Sequence, residues 1–514
     1  MFKNLHLKNW FWLLIGTFIF YLIGVKTLLG PYSLSKPILF YDEATLITGA
    51  KRILNGDIIY KDFWTIYKPF NFLSISLFFK FFGISLESSR IHNILIGYIG
   101  ILSMFYFLRQ KLSPFYSSLI SFSTILITSP LKLTHSFLFL SLAKTFKYLE
   151  QGLNKKEIYL GGLFTGLAFA TRLDFGLALG GLFFVAEILR FNNMKNFIKT
   201  NLMYLSGFVS VLLPIYVYII KNKALSHFWD QTYIYPLFGN YLDHRTIPFP
   251  KFWTHINSFG LEYISYNLFW LLPFLILTYL VVIFFRKSFI LQKQYILMSF
   301  LIVLLSLPYL LHRTDYTHLN FINLIGIPVI ARLILPLFKS EKVKILSLLT
   351  LMFFILYSPF KTQLKRTFID ENWQLQSYDF YTYPIVKSRE NQDFNKVLNY
   401  IKENIPSNKK IYIGLTDHSQ IFSNNIMLYF MINNPIPTKF HELHTGVVTL
   451  TKQQEYILDE IKNVEDIILW ESLNCEPNLG CVSSNVHLID DYITSNFNLV
   501  EKVGRYSILK KKVD

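Results

Sequence analysis

The sequence predicts a polytopic α-helical membrane protein of about 11 transmembrane helices, followed by a soluble exoplasmic α/β domain. Three observations carry that expectation. The 514 residues are 52% hydrophobic and only 16% charged, whereas soluble chains average about 25% charged residues. Apolar runs of about 15 to 25 residues, the length that crosses a bilayer as a helix, recur through the first 360 positions. The net charge of +17 is also uneven: residues 361–514 hold 17 Lys+Arg against 19 Asp+Glu, and the excess of basic groups lies before them. Disorder, a disulfide scaffold and a single soluble domain are excluded by the same figures. A nucleic-acid partner is also excluded, because the basic residues punctuate apolar runs instead of lining a polar face.

The first run, residues 10–29, follows Lys3, His6 and Lys8 and has no small-residue cleavage site after it. It reads as a retained helix with a cytoplasmic N-terminus. Further spans are expected at 89–108, 114–129, 131–149, 158–170, 175–189, 197–220, 259–285, 295–311, 319–338 and 345–359. The stretch 69–83 is short and interrupted by Asn71 and Lys80. If it spanned, Arg109/Lys111, Lys155/Lys156, Arg190/Lys195/Lys199, Arg286/Lys287/Lys293 and Lys339/Lys342/Lys344 would all lie outside, against the positive-inside rule. It is therefore read as interfacial or re-entrant, which puts the C-terminal domain on the exoplasmic side of a bacterial plasma membrane. Ten of the 14 acidic residues in the membrane half then fall on the exoplasmic face, among them Asp42, Glu43, Asp57, Asp62, Asp174, Asp230 and Asp315. The domain expectation is 1–360 for the membrane body, with exoplasmic loops at 31–88 and 222–258, and 361–514 for the soluble domain. In the latter, helical patterns at 394–404 and 452–462 alternate with strand-like 410–415, 466–470 and 506–509. Cys475 and Cys481, the only cysteines, form a disulfide or remain two free thiols.

The first exoplasmic loop is the richest in chemistry. Asp42 and Glu43 sit just past the first helix, where a carboxylate orients or deprotonates an incoming hydroxyl. The plainer reading is that Asp42 caps an amphipathic helix over 44–54. Lys68, immediately before Pro69, places an ammonium where water is scarce, suited to a lipid phosphate; the alternative is a snorkelling lysine. Arg172 and Asp174 in "TRLDFG" either pair with each other or leave Arg172 to hold a phosphate. "HRTDYTH" sets His312, Arg313, Asp315 and His318 at another exoplasmic turn, as a polar cavity lining without metal-site spacing. "HELH" at His441–His444 lacks the spacing of zinc peptidases. Phosphate-binding glycine loops and a serine nucleophile elbow are missing from the sequence, which disfavours an ATP-driven transporter.

The order of these motifs resembles a known family. After one helix come "YDEA", then Ala50, Ile53, Leu54 and Gly56, then Lys68–Pro69, then Phe82–Gly83 before Arg90. This resembles the GT-C membrane glycosyltransferases, in the branch of the protein O-mannosyltransferases and lipid A aminoarabinose transferases. The resemblance implies a polyprenyl-phosphate sugar donor and a lipid, glycan or protein acceptor. It also implies a catalytic acid at Asp42 with Glu43 beside it, a carrier-phosphate contact at Lys68, and less firmly Arg172 and Arg313. A single displacement of a good phosphate leaving group is expected to invert the configuration with no cofactor, and a divalent metal is not favoured. A flippase or transporter of lipid-linked sugars is the rival, but it needs polar residues at mid-membrane depth. An O-antigen ligase or polymerase carries its large loop between late helices.

Overall fold

The computed structural model describes residues 42–127, 132–152, 154–238, parts of 293–305, 316–348, 373–378, 381–386, 389–420, 424–443, 447–471 and 483–512, some of them, including Asp42 and His318, by backbone alone. In chain order the helices are α1 (Asp42–Leu54), α2 (Pro69–Phe82), α3 (Leu86–Arg109), α4 (Pro114–Ile127), α5 (Leu133–Gln151), α6 (Lys155–Thr171), α7 (Leu173–Leu189) and α8 (Met194–Lys221). Next come α9 (Leu225–Trp229), a π-turn (Asp230–Ile234), α10 (Tyr235–Phe238) and α11 (Tyr316–Ile334). The C-terminal segment holds β1 (Trp373–Tyr378), β2 (Tyr381–Val386), α12 (Arg389–Asn404), β3 (Ile411–Leu415), α13 (Ile426–Met431), α14 (Thr451–Ile461), β4 (Asp466–Trp470), α15 (Leu488–Asn496), β5 (Phe497–Val503) and β6 (Tyr506–Lys511).

The apolar runs expected as spans between residues 89 and 220 all emerge as helices. Among the described residues, two of them, α3 and α8, are long and apolar enough to cross a membrane. The runs at 10–29 and 259–285, and most of 295–311 and 345–359, lie outside the described residues.

The chain divides into two compact units. The first takes its described residues from Arg90–Ile215 and Pro248–Glu371. Its core joins Phe107, Phe139, Leu142, Phe146, Leu179 and Leu182. Apolar packing alone discriminates poorly between helices in lipid, so close backbone approach and hydroxyl pairs decide which faces meet. Gly162 and Gly166 on α6 supply the approach: a Cβ on Gly162 would lie 1.8 Å from the Tyr204 carbonyl oxygen, and one on Gly166 2.7 Å from that of Phe208. Gly207 on α8 answers, its Cβ position 2.1 Å from the Tyr159 oxygen. Thr165 ties the layer together, 2.8 Å from the Ser141 hydroxyl and 2.5 Å from that of Tyr204. A fully buried Arg332 lies over the Phe107 and Phe146 rings, which pack edge-on against each other, and donates to Glu150 at 3.1 Å and Gln110 at 3.2 Å.

The second unit gathers segments far apart in sequence: Ser35–Ser89, Tyr216–Ile247 and Asn372–Asp514. Its four-stranded sheet has the order β3-β4-β6-β5. The β3–β4 pair is parallel, with Ile411 opposite Asp466, so its connection must cross over, and α13 and α14 provide the crossover. β6 runs antiparallel to β4 and β5. The β5–β6 hairpin turns through Gly504, whose φ of +57° suits the first central position of a two-residue turn. The expected elements of this segment are present, and 466–470 matches in full. β1, β2, β5, α13 and α15 are additions the pattern did not mark.

One core holds this unit together. Ala44, Ile47 and Ala50 of α1, and Ile75 and Phe79 of α2, pack with Phe394, Leu398, Ile413, Phe430 and Ile508 of the C-terminal segment. The spacing on both helices is that of one helical stripe. α1 and α2 approach closely because residue 49 is glycine; a Cβ there would stand 2.4 Å from a Phe72 ring carbon. Lys51 then caps α13, donating to the carbonyls of Phe430 at 2.9 Å and Ile432 at 2.6 Å. Burial lowers its pKa to about 8.

Candidate functional site

The segment from Arg52 to Lys68 is built by a chain of local constraints. α1 ends at Leu54 and the backbone turns at Gly56, with φ +101°. Arg52 clasps the following loop: Nε donates to Asp57 at 2.6 Å and Nη2 to the Asp62 carbonyl at 2.7 Å. Its Nη1 reaches the Thr438 carbonyl at 3.1 Å, and its guanidinium stacks over the Phe63 ring. Asp62 closes the turn by accepting from the Ile58 N–H at 2.7 Å. Two of the acids expected on the exoplasmic face, Asp57 and Asp62, are thus engaged in shaping the loop. Trp64 N–H donates to the Lys439 carbonyl at 3.0 Å, fixing the loop to the C-terminal segment.

Lys68 stands at the head of α2. Its φ of −72° and ψ of 151° are the extended geometry that a following proline imposes, and Pro69 opens the helix where its missing N–H is harmless. α2 has 14 residues, a length of about 21 Å, short of the ~30 Å apolar core of a bilayer. Phe72, Ile75 and Phe79 are buried, whereas Leu77 and Phe81 are exposed on the opposite side. A short helix that buries one apolar side and exposes another is of the kind that lies in a membrane interface.

The Lys68 side chain is 5% exposed. Its Nζ lies 3.7 Å from the centroid of the Tyr233 ring and 5.2 Å from that of Phe228. Phe228 in turn packs edge-on against Tyr60, Tyr216 and Tyr233. Burial pulls the Lys68 pKa from its ordinary value down to about 7. The same burial pushes Tyr233 and Tyr60 upward, so both phenols stay neutral and keep their ring faces available. The result is an ammonium held in an aromatic box, a geometry that stabilises a cation by about 0.5–2 kcal/mol.

Of the other expected site residues, Glu43 is buried in the first turn of α1. Asp42 opens that helix, and its side chain lies outside the described residues. Arg172 and Asp174 pair with each other, Nε to Oδ1 at 2.8 Å, and the Arg172 guanidinium sits over Phe175. His312, Arg313 and Asp315 lie outside the described residues, as do Cys475, Cys481, His444 and the side chain of His318. His441 is buried beside Phe63, with Arg52 3.4 Å from its Nδ1. Burial first and Arg52 second hold it well below the usual imidazole range.

Among the described residues, one group gathers metal-ligand types: Asp417, His487 and Asp490, with ligand atoms within 4.8 Å of one another. Protein donors already engage it, since His418 Nδ1 lies 2.7 Å from Asp490 and Ser419 donates to Asp417.

No protein-family model and no curated protein matches the chain. Solved structures do. ArnT from Cupriavidus metallidurans bound to undecaprenyl phosphate aligns with a TM-score of 0.54, covering 98% of both chains at 12% identity. ArnT in the apo state gives 0.55 at 11% identity, over the same 98% of both chains. The archaeal oligosaccharyltransferase AglB from Archaeoglobus fulgidus, in complex with an inhibitory peptide and a dolichol-phosphate, gives 0.53 at 11% identity, over 98% of this chain and 74% of its own. This chain has the GT-C fold. At such identities the likeness is one of fold: the GT-C neighbours are polytopic membrane proteins, and the described residues of this chain are largely helical with a C-terminal sheet region.

Within that GT-C fold, Tyr233, Phe228, Gln231 and Tyr60 were not legible as site residues. The only signal was the aromatic density of "HFWDQTYIYPLF" in the second loop, which composition alone reads as interfacial.

Proposed function

We propose that the protein is a glycosyltransferase that moves a sugar from a polyprenyl-phosphate-linked donor to a hydroxyl acceptor at the exoplasmic membrane face, in cell-envelope glycan, glycolipid or protein glycosylation. The observation that carries the reading is the Lys68 ammonium, boxed by Tyr233 and Phe228 at the head of a short interfacial helix, on a chain with the GT-C fold. The solved structures that share the fold include one bound to undecaprenyl phosphate and one in complex with a dolichol-phosphate, which supports a lipid-phosphate donor.

The chemistry follows from the residue types. Asp42, with Glu43 beside it, orients the acceptor hydroxyl and takes its proton as the oxygen attacks the anomeric carbon. The bond from that carbon to the phosphate oxygen breaks on the opposite face, so the configuration inverts. Lys68 stabilises the charge gathering on the departing polyprenyl phosphate. Arg172, already engaged with Asp174, and Arg313 serve as supporting positive groups. His312, Asp315 and His318 are assigned in this reading to the polar lining expected at the "HRTDYTH" turn. Phosphate is a good enough leaving group for the displacement to run without a metal. In this reading residues 1–360 form the membrane body of about 11 spans, and 361–514 lie on the exoplasmic side.

Mass spectrometry of cell-surface glycans and glycolipids from a deletion strain and its parent tests the proposal. A missing or truncated glycan, restored by the intact gene and not by Asp42→Asn, is the expected outcome. Identical profiles in both strains, or full restoration by Asp42→Asn, overturn the activity and the base assignment respectively.

A further inference from the structure

Lys68 owes its position to a segment more than 160 residues away. Gln231, 3% exposed, reaches from the π-turn to the loop before Lys68 and makes two buried hydrogen bonds. Its Oε1 accepts from the Thr65 N–H at 3.0 Å, and its Nε2 donates to the Tyr60 carbonyl at 2.8 Å. One amide thus brackets residues 60–65 from both ends. Tyr60 needs such a clamp, because it holds a φ of +71°, a left-handed conformation that costs a non-glycine residue about 1–2 kcal/mol. Its hydroxyl donates to the Tyr67 carbonyl at 2.9 Å, carrying the constraint to the residue before Lys68.

Two residues further along the same π-turn, Tyr233 presents its ring face to the ammonium at 3.7 Å. The Tyr216 hydroxyl lies 3.3 Å from that of Tyr233. π-turns are rare and recur at functional sites, since they break the register of the surrounding helix to aim particular side chains. Here the break falls between α9 and α10, and two of its five side chains, Gln231 and Tyr233, reach the Lys68 segment.

We propose that Gln231 and Tyr233 are positioning residues for the donor phosphate: Gln231 sets the backbone that carries Lys68, and Tyr233 holds the ammonium without neutralising it. The proposal rests on the reading of Lys68 as the phosphate contact. An aromatic face fits that task. It steadies a cation, yet the contact is weaker than a charge-assisted hydrogen bond to phosphate, so the ammonium turns to the donor when the donor arrives.

The test uses the full chain in detergent or nanodiscs, with undecaprenyl phosphate as the binding probe. Tyr233→Phe keeps the ring face and is expected to bind within about twofold of the parent. Tyr233→Met keeps bulk and loses the face, and is expected to bind about 3- to 30-fold more weakly. Gln231→Ala is expected to raise the apparent Kd by a similar factor, with KM for the lipid donor moving more than kcat. Thermal unfolding of each variant shows that it is folded, and the two positions are independent, so failure of one variant to fold leaves the other decisive. Lys68→Met separates the two layers. If it binds like the parent, the reading of Lys68 itself is wrong. If it loses binding while Tyr233→Met and Gln231→Ala retain it, the positioning roles are wrong and the reading stands. Equal weakening by Tyr233→Phe and Tyr233→Met also overturns the role assigned to the ring.

Discussion

At the scale of single residues, the decisive quantity is the charge on Lys68. Burial has brought its pKa down to about 7, so the ammonium is present below that pH and is lost as pH rises through it. Donor phosphate needs the charged form. kcat/KM for the lipid donor is therefore expected to fall about tenfold per pH unit above ~7, the slope of one essential ionisation. Lys68→Arg should flatten that limb, because a guanidinium stays protonated throughout. A profile that is flat from pH 6 to 9 in the parent would remove Lys68 from the phosphate site. The sequence marked this lysine through its place before a proline and an apolar stretch. It did not mark Tyr233 or Gln231, since partners 160 residues apart leave no local pattern. Arg172 shows the opposite situation: a neighbouring acid two residues on is visible in sequence, and the pair forms as one of the two arrangements that spacing allowed.

At the scale of elements, the helices were legible where an apolar stripe repeats, and their contacts were not. Periodicity marks α1 as amphipathic, yet the reason it can lie against α2 is a missing Cβ at Gly49. Gly49→Ala puts a methyl 2.4 Å from a fully buried Phe72 ring. Overpacking of that kind costs about 1–3 kcal/mol, so the thermal midpoint of the full chain should drop by a few degrees. An unchanged midpoint would mean that Phe72 has room to move. The α6–α8 contact is stricter, because Gly162 faces backbone and no side chain can yield. Gly162→Val is expected to abolish stable accumulation in the membrane, read by fluorescence size-exclusion chromatography of a tagged chain. A monodisperse peak of parental height would contradict the close approach of these helices. Strand β5 escaped sequence reading for a related reason. The positions between the ends of β5 are exposed on both faces, so it carries no alternation to detect.

At the scale of the whole molecule, composition along the chain marks a change in charge balance near residue 360, but it does not report what the segment after it packs against. The compact unit that contains it also takes in Ser35–Ser89 and Tyr216–Ile247. This has a functional consequence. The residues proposed for chemistry, Asp42, Glu43 and Lys68, belong to α1 and the head of α2, whose buried faces share a core with Phe394, Leu398, Phe430 and Ile508. Lys51 and Arg52 add polar ties to the carbonyls of Phe430, Ile432 and Thr438. Burying each large apolar side chain of such a core is worth about 1.5–3 kcal/mol. A chain that stops after residue 371 keeps every proposed catalytic and phosphate-binding residue but exposes these faces to water. It is therefore expected to insert in the membrane and to lose undecaprenyl phosphate binding together with transfer. If the truncated chain bound the lipid phosphate with parental affinity, the C-terminal segment would be an appendage, and the site would have to be built by the membrane helices alone.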